Sequence, residues 1–127
     1  VKTLINYLAI GGGGCLGAML RYFLSTLCAR LFGTAFPVGT FVINIGGSFL
    51  LGWFLVVVQR RIPASDPLHL AIAIGFLGAF TTFSTLMYES SALLGDGSGM
   101  KAMFNLMGSL LIGLMAVRLG MVLGDRF

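Results

Sequence analysis

The chain has 127 residues, of which 8 are Lys or Arg and 4 are Asp or Glu, so 9% carry charge while 57% are hydrophobic. Soluble domains carry about 25% charged residues, so this surface could not be kept soluble, and a disordered chain would be more charged and less aromatic. The length suits a bundle of about four membrane-spanning helices of about 20 residues each, and one such bundle is too small to enclose much of a pathway, which points to an oligomer.

The charges are absent from residues 3–20, 31–59, 67–88 and 102–117, runs of 18, 29, 22 and 16 residues. Each run predicts a membrane span. Between them lie Gly33 to Pro37, then Arg60 to Pro67, and the Gly-Asp-Gly-Ser-Gly stretch from Gly95 to Gly99, all turn-forming by composition. The expectation is an all-α membrane protein with a single domain over 1–127 and helices at about 3–31, 39–60, 67–94 and 99–124. Four spans put both termini on one side.

The first span follows Lys2 and runs past Arg21, without a small-residue cleavage site, so it reads as a retained helix and not a signal peptide. Gly13-xxx-Gly17 and Gly14-xxx-Ala18 give it a close-packing face. The run Gly11 to Gly14 is no phosphate loop, because no Lys-Ser/Thr follows and it sits in an apolar stretch. Cys15 and Cys28 lie too far apart on one helix to pair, and read as small buried apolar residues. Arg21, inside the span, has a structural or vestibule reading: it either anchors the helix through carbonyls or reaches a water-filled vestibule.

On the second span Thr40, Asn44 and Ser48 recur every four residues and form one polar stripe, with Ser48-xxx-Gly52 as a packing face. Buried polar groups in a membrane cost free energy unless paired, so such a stripe predicts either interhelical hydrogen bonds or a lined pathway. Neutral amides and hydroxyls can solvate an anion without holding it as tightly as a fixed charge. Arg60, Arg61 and Asp66 then mark a loop, with His69 close behind it; a loop or interfacial role is expected for Asp66 and His69.

The third span carries Gly75 and Gly78, then four hydroxyls in the five residues Thr81-Thr82-Phe83-Ser84-Thr85. That pattern predicts a helix interrupted in mid-membrane, whose freed carbonyls would suit a small hard cation. Phe76, Phe80 and Phe83 fall on one helical face, where an electropositive ring edge could meet an anion without offering a competing charge. Glu89 lies one turn beyond the hydroxyl cluster and is expected to partner a buried polar group. On the fourth span Asn105 and Ser109 form a second polar pair, and Ser109-xxx-Gly113 and Gly120-xxx-Gly124 form packing faces.

Lys2, Arg60, Arg61 and Arg126 fall on the side of the termini, with Arg118 near it, and Arg30 and Lys101 fall on the other. The bias towards cytoplasmic termini is small, which fits insertion in both orientations. The basic residues are scattered, so no nucleic-acid surface is expected. No nucleophile–base or metal constellation appears, so no enzyme is expected.

Gly39-Thr40-x-x-x-Asn44-x-x-Gly47, Gly75-x-x-Gly78-x-x-Thr81-Thr82-Phe83-Ser84-Thr85 with Glu89, and Gly17-Ala18-x-x-Arg21-Tyr22 resemble the CrcB/Fluc fluoride channels across essentially the whole chain. The resemblance implies a dual-topology homodimer with its subunits antiparallel, two fluoride pathways at the interface, and a structural Na+ at the dimer centre. It implies the backbone carbonyls of Gly78 and Thr81 as the sodium ligands. It places Asn44, Phe83, Ser109, Asn105, Thr40, Ser84 and Thr85 along the fluoride pathway. Two departures stand out: Leu86 replaces a second phenylalanine of the family motif, and position 113 is Gly where other members carry a further hydroxyl.

The function expected is passive, selective fluoride export across the bacterial plasma (inner) membrane, conferring fluoride resistance. The partners expected are the lipid bilayer, fluoride and a second copy of the chain. The alternative is a small multidrug-type proton-coupled exporter, which would need an embedded Glu on the first span. A non-transporting, holin-like assembly is the third class, and it predicts no selective ion flux.

Overall fold

In lipid, a chain can satisfy its backbone only by forming helices or closed barrels, and each of the four uncharged runs supplies a helical span. The computed structural model describes residues 1–127. Helix α1 spans Lys2–Phe32 and α2 spans Val38–Gln59. The third apolar segment, Pro67–Gly95, is composite. It opens with α3 (Pro67–Leu70), passes through a π-helical stretch Ala71–Leu77, and continues as α4 (Gly78–Phe80). After Thr81 and Thr82 it resumes as α5 (Phe83–Gly95), and α6 spans Gly99–Gly124. The four apolar segments are each long and apolar enough to cross a membrane.

The boundaries follow local chemistry. Gly33 ends α1 at φ 77, and Gly97 turns the last loop at φ 75, values that favour glycine because a Cβ would clash there. Asp66 caps α3: its Oδ1 accepts from the Leu68 N–H at 2.8 Å, and Pro67 fills the first turn, where no backbone donor is needed. This gives the loop residue Asp66 its structural role. His69 lies buried one turn on, its ring 5.6 Å from that of Phe54.

Glycine faces join the spans. A Cβ at Gly13 would overlap the carbonyl of Ala71, and one at Gly17 the carbonyl of Phe76. On the facing segment, a Cβ at Gly75 would overlap the Ile10 carbonyl. In the same way Gly52 meets the Val117 carbonyl, and Gly120 the Phe49 carbonyl, across the α2–α6 contact. These are the small-residue crossings that let backbones approach in a membrane. Gly11 and Gly12, by contrast, have nothing within 4 Å, and both lie within α1.

The two ends are closed differently. Beyond α1 and α2, Phe36, Phe41 and Phe104 pack with ring centroids 5.7–5.9 Å apart. At the end that holds both termini, Arg60 pairs with Asp125, and Arg61 donates to the Phe127 carbonyl at 3.4 Å. Little of α1 is covered: Gly17 is its one buried residue, while Leu4, Leu8, Leu16 and Phe23 are exposed. Apolar surface on this scale belongs against lipid or another subunit.

Candidate functional site

The third segment leaves helical geometry at two residues. Thr81 has φ −80 and ψ 158, and Thr82 has φ −152 and ψ 118, both extended. The break turns on hydroxyl chemistry. Thr82 caps α5, its Oγ1 accepting the Thr85 N–H at 3.3 Å and donating to the Thr85 hydroxyl at 2.9 Å. The Thr81 hydroxyl instead donates back to the Leu77 carbonyl at 3.1 Å.

Asn44 spans the gap from α2. Its Nδ2 donates to the Thr82 carbonyl at 2.9 Å, and its Oδ1 accepts the Thr82 N–H at 2.8 Å. The side-chain amide thereby pairs with both backbone groups of one residue, as a neighbouring peptide would. An Asn amide carries two N–H groups, so one remains for another acceptor. Ser48, one turn on, donates into its own helix at the Asn44 carbonyl, 2.7 Å away.

The expected stripe on α2 therefore divides. Thr40 donates to Glu89 Oε1 at 2.9 Å, and Glu89 Oε2 is buried without a partner. Glu89 was expected to partner a buried polar group, and that group is the Thr40 hydroxyl. Thr40 and Glu89 line a recess of about 250 Å³ with Ser25, Gly39 and Tyr88.

A larger open cavity, about 570 Å³, lies beside the break. Asn44, Ser48, Thr81, Thr82, Phe83 and Ser109 give it its polar and aromatic wall. Leu86 and Gly113, the two departures from the family pattern, border the same cavity. The Ser109 hydroxyl is buried without a partner, which leaves a donor free at this wall.

Other expected site residues sit elsewhere. Asn105 is fully buried at 0% exposure and is not among the residues bordering the cavity. Its Nδ2 donates to the Ser90 hydroxyl at 2.9 Å, and Ser90 donates to the Leu86 carbonyl at 2.7 Å. The expected face of Phe76, Phe80 and Phe83 does not form, because the extended residues 81–82 intervene. Phe76 and Phe80 stack with centroids 6.1 Å apart, whereas Phe83 stands 73% exposed. Ser84 is exposed on α5, with its hydroxyl 3.5 Å from that of Thr82. Arg21 is half-buried and belongs to no ion pair, the one pair in the chain being Arg60–Asp125. Cys15 is exposed and Cys28 half-buried, and both are free thiols, so Cys15 is not the buried residue expected.

Sequence reasoning missed two residues. Thr82 belongs to the hydroxyl cluster, but its cap and its pairing with Asn44 required the break geometry. Ser90 gave no signal beyond its four-residue spacing from Leu86.

The cation reading can be tested against the donor set. No group of three or more His, Cys, Asp or Glu converges anywhere in the chain, so the oxygen ligands would be neutral: main-chain carbonyls, amides or hydroxyls. The Thr81 carbonyl receives no hydrogen bond, and the Thr82 N–H that would close a helical turn on the Gly78 carbonyl goes to Asn44 instead. Unpaired carbonyl oxygens of this kind fit a small hard cation.

A four-span helical protein whose break, carbonyls and amide–hydroxyl wall surround an open cavity has the build of an ion-conducting membrane protein. Residues 8–121 match the family described as "CrcB-like protein, Camphor Resistance (CrcB)". A relative from Chloroflexus aurantiacus, "Fluoride-specific ion channel FluC", is 44% identical over 122 residues, covering 96% of this chain and 97% of the relative. A relative of the same name from Acidobacterium capsulatum is 43% identical over 122 residues, covering 96% and 98%. One from Koribacter versatilis is 50% identical over 93 residues, covering 73% and 74%. The chain belongs to the CrcB family.

Proposed function

We propose that this protein is a fluoride channel of the bacterial plasma membrane, exporting fluoride passively. The observation that carries this reading is the near-full-length likeness to relatives named fluoride-specific ion channels. It is a multi-pass membrane protein and not an enzyme.

The physics suits the geometry. Hydrogen fluoride crosses membranes from acidic surroundings and ionises in a more neutral cytoplasm. A negative-inside potential then drives the anion out, by about 2.3 kcal/mol per elementary charge per 100 mV. Fluoride is small and strongly hydrated, so its water shell must be replaced by protein donors in a pore too narrow for chloride. The second N–H of Asn44, the unpartnered hydroxyl of Ser109 and the exposed edge of Phe83 are the groups we assign to that task. Thr40 belongs to the recess around Glu89, a mouth to the pathway, and Ser84 and Thr85 surround the break. Asn105 acts from behind the wall, through Ser90. Leu86 leaves Phe83 as the ring of the pair.

The break is assigned to the bilayer mid-plane. Its support is position: Thr81 lies midway between the ends of the segment Pro67–Gly95. The functional unit is assigned as an antiparallel homodimer, each chain presenting its open cavity to the other. Three features support it: the uncovered cavity, the exposure of Gly78 and Phe83, and the small charge bias between the two sides. Na+ held by the carbonyls of Gly78 and Thr81 would sit at that junction and supply fixed positive charge without a side-chain cation.

The small multidrug-type exporter finds no support, since α1 contains no acidic residue to carry the proton. The test in cells is growth. Expressed in a bacterium stripped of its own fluoride export, the chain is expected to restore growth in fluoride. Membrane-inserted protein that gives no protection would contradict the reading. Short-span cross-linking in native membranes should trap a dimer, and a strictly monomeric pattern would remove the assembly.

A further inference from the structure

The carbonyls of Gly78 and Thr81 lose their helical partners for a specific cause. In an unbroken α-helix the carbonyl of residue 78 would accept the N–H of residue 82, and that of residue 81 the N–H of residue 85. Leu77 still keeps its α-helical partner: its carbonyl receives both the Thr81 N–H and the Thr81 hydroxyl at 3.1 Å. At the next residue the pairing fails. The Thr82 N–H goes to Asn44 Oδ1 at 2.8 Å, and the Thr85 N–H goes to Thr82 Oγ1 at 3.3 Å. Each diversion is braced by a second bond in the reverse sense, from Asn44 Nδ2 to the Thr82 carbonyl and from Thr82 Oγ1 to the Thr85 hydroxyl.

We propose that Asn44 and Thr82 are the positioning residues of the sodium site, which they create by capturing the two N–H groups that would otherwise close over the carbonyls of Gly78 and Thr81. The inference rests on the sodium reading above and adds what builds the site. An uncapped N–H buried in a membrane seeks the nearest acceptor. Without the Asn44 oxygen, that acceptor for Thr82 is the Gly78 carbonyl. Without the Thr82 hydroxyl, that acceptor for Thr85 is the Thr81 carbonyl. Either change restores a helical bond and withdraws one oxygen from the ion. Asn44 thus has two tasks, since the N–H not spent on Thr82 still faces the pathway. Thr82 has one, and its effect reaches the anion only through the cation.

Purified protein in detergent is heated in a titration of Na+ against N-methylglucamine at constant ionic strength. The wild type is expected to show a saturable rise in melting midpoint with Na+. Thr82→Val keeps the shape and lacks the acceptor, and Asn44→Leu removes the amide. Each is expected to raise the half-saturating Na+ by about tenfold or more, the scale of one lost bond to a charged group. Thr82→Ser retains the hydroxyl and should stay within about twofold of the wild type. Wild-type half-saturation in Thr82→Val overturns the inference, and that variant decides alone if Asn44→Leu does not fold. A wild type that ignores Na+ removes the sodium reading itself, a separate outcome.

Discussion

Replacing Gly17 by Ala tests the contact that holds the broken segment in place. A Cβ at Gly17 would meet the carbonyl oxygen, carbonyl carbon and Cα of Phe76, all backbone atoms with no side-chain freedom to yield. The helices must separate, and overpacking of this kind costs about 1–3 kcal/mol. Ala recovers up to about 1 kcal/mol of helix propensity, so the net loss is about 0–2 kcal/mol. Gly12 is the internal control. It lies five residues earlier on α1, with nothing within 4 Å, so Gly12→Ala gains propensity at no packing cost. Thermal or detergent-titrated unfolding of the purified variants should separate them by about 2 kcal/mol, with Gly17→Ala the less stable. Phe76 lies one turn before the break, so fluoride flux through Gly17→Ala should fall as well. Equal stability of the two variants would refute the close α1–π-helix contact and the reasoning built on it.

Three further outcomes are expected. Phe83→Ile, which removes the exposed ring edge while keeping apolar bulk, should slow fluoride efflux by about tenfold or more, on the scale of ~1.4 kcal/mol; an unchanged rate would take Phe83 off the pathway. Thr40→Val deprives Glu89 of its donor and should destabilise the folded protein by about 1–3 kcal/mol, while Thr40→Ser stays close to wild type; equal midpoints for both would dissociate the pair. Asp125→Ala removes the Arg60 pair, whose side chains are 61% and 65% exposed, and should change stability by less than about 1 kcal/mol. A larger loss would show that this end of the bundle is held by more than packing.

The four spans were legible because charge is costly in lipid, and its absence marks the segments directly. Most packing faces were legible because close backbone approach demands small residues, and Gly13, Gly17, Gly52, Gly120 and Gly124 all meet facing backbone atoms, whereas Gly113 borders the cavity with nothing nearer than the Ser48 hydroxyl at 3.8 Å. Four hydroxyls and two glycines in the third segment signalled irregular backbone there. Spacing said less about where side chains turn. Thr40, Asn44 and Ser48 lie on one face, yet they reach Glu89, Thr82 and their own helix respectively. Periodicity also failed across the break. It put Phe83 beside Phe80, but two extended residues rotate the chain between them. Asn105 and Ser109 share a face at i, i+4, yet only Ser109 borders the cavity. The partner that separates them, Ser90, comes from another helix, where a one-dimensional pattern holds no information.

The central claim is selective, passive fluoride conduction, and vesicles tell it apart from every competitor. Purified protein reconstituted into vesicles loaded with potassium fluoride, with an ionophore to carry the potassium, should release fluoride rapidly to an external electrode without ATP or a proton gradient. The same preparation loaded with chloride should release almost none. Equal fluoride and chloride efflux, or fluoride release that requires an imposed proton gradient, would contradict the account.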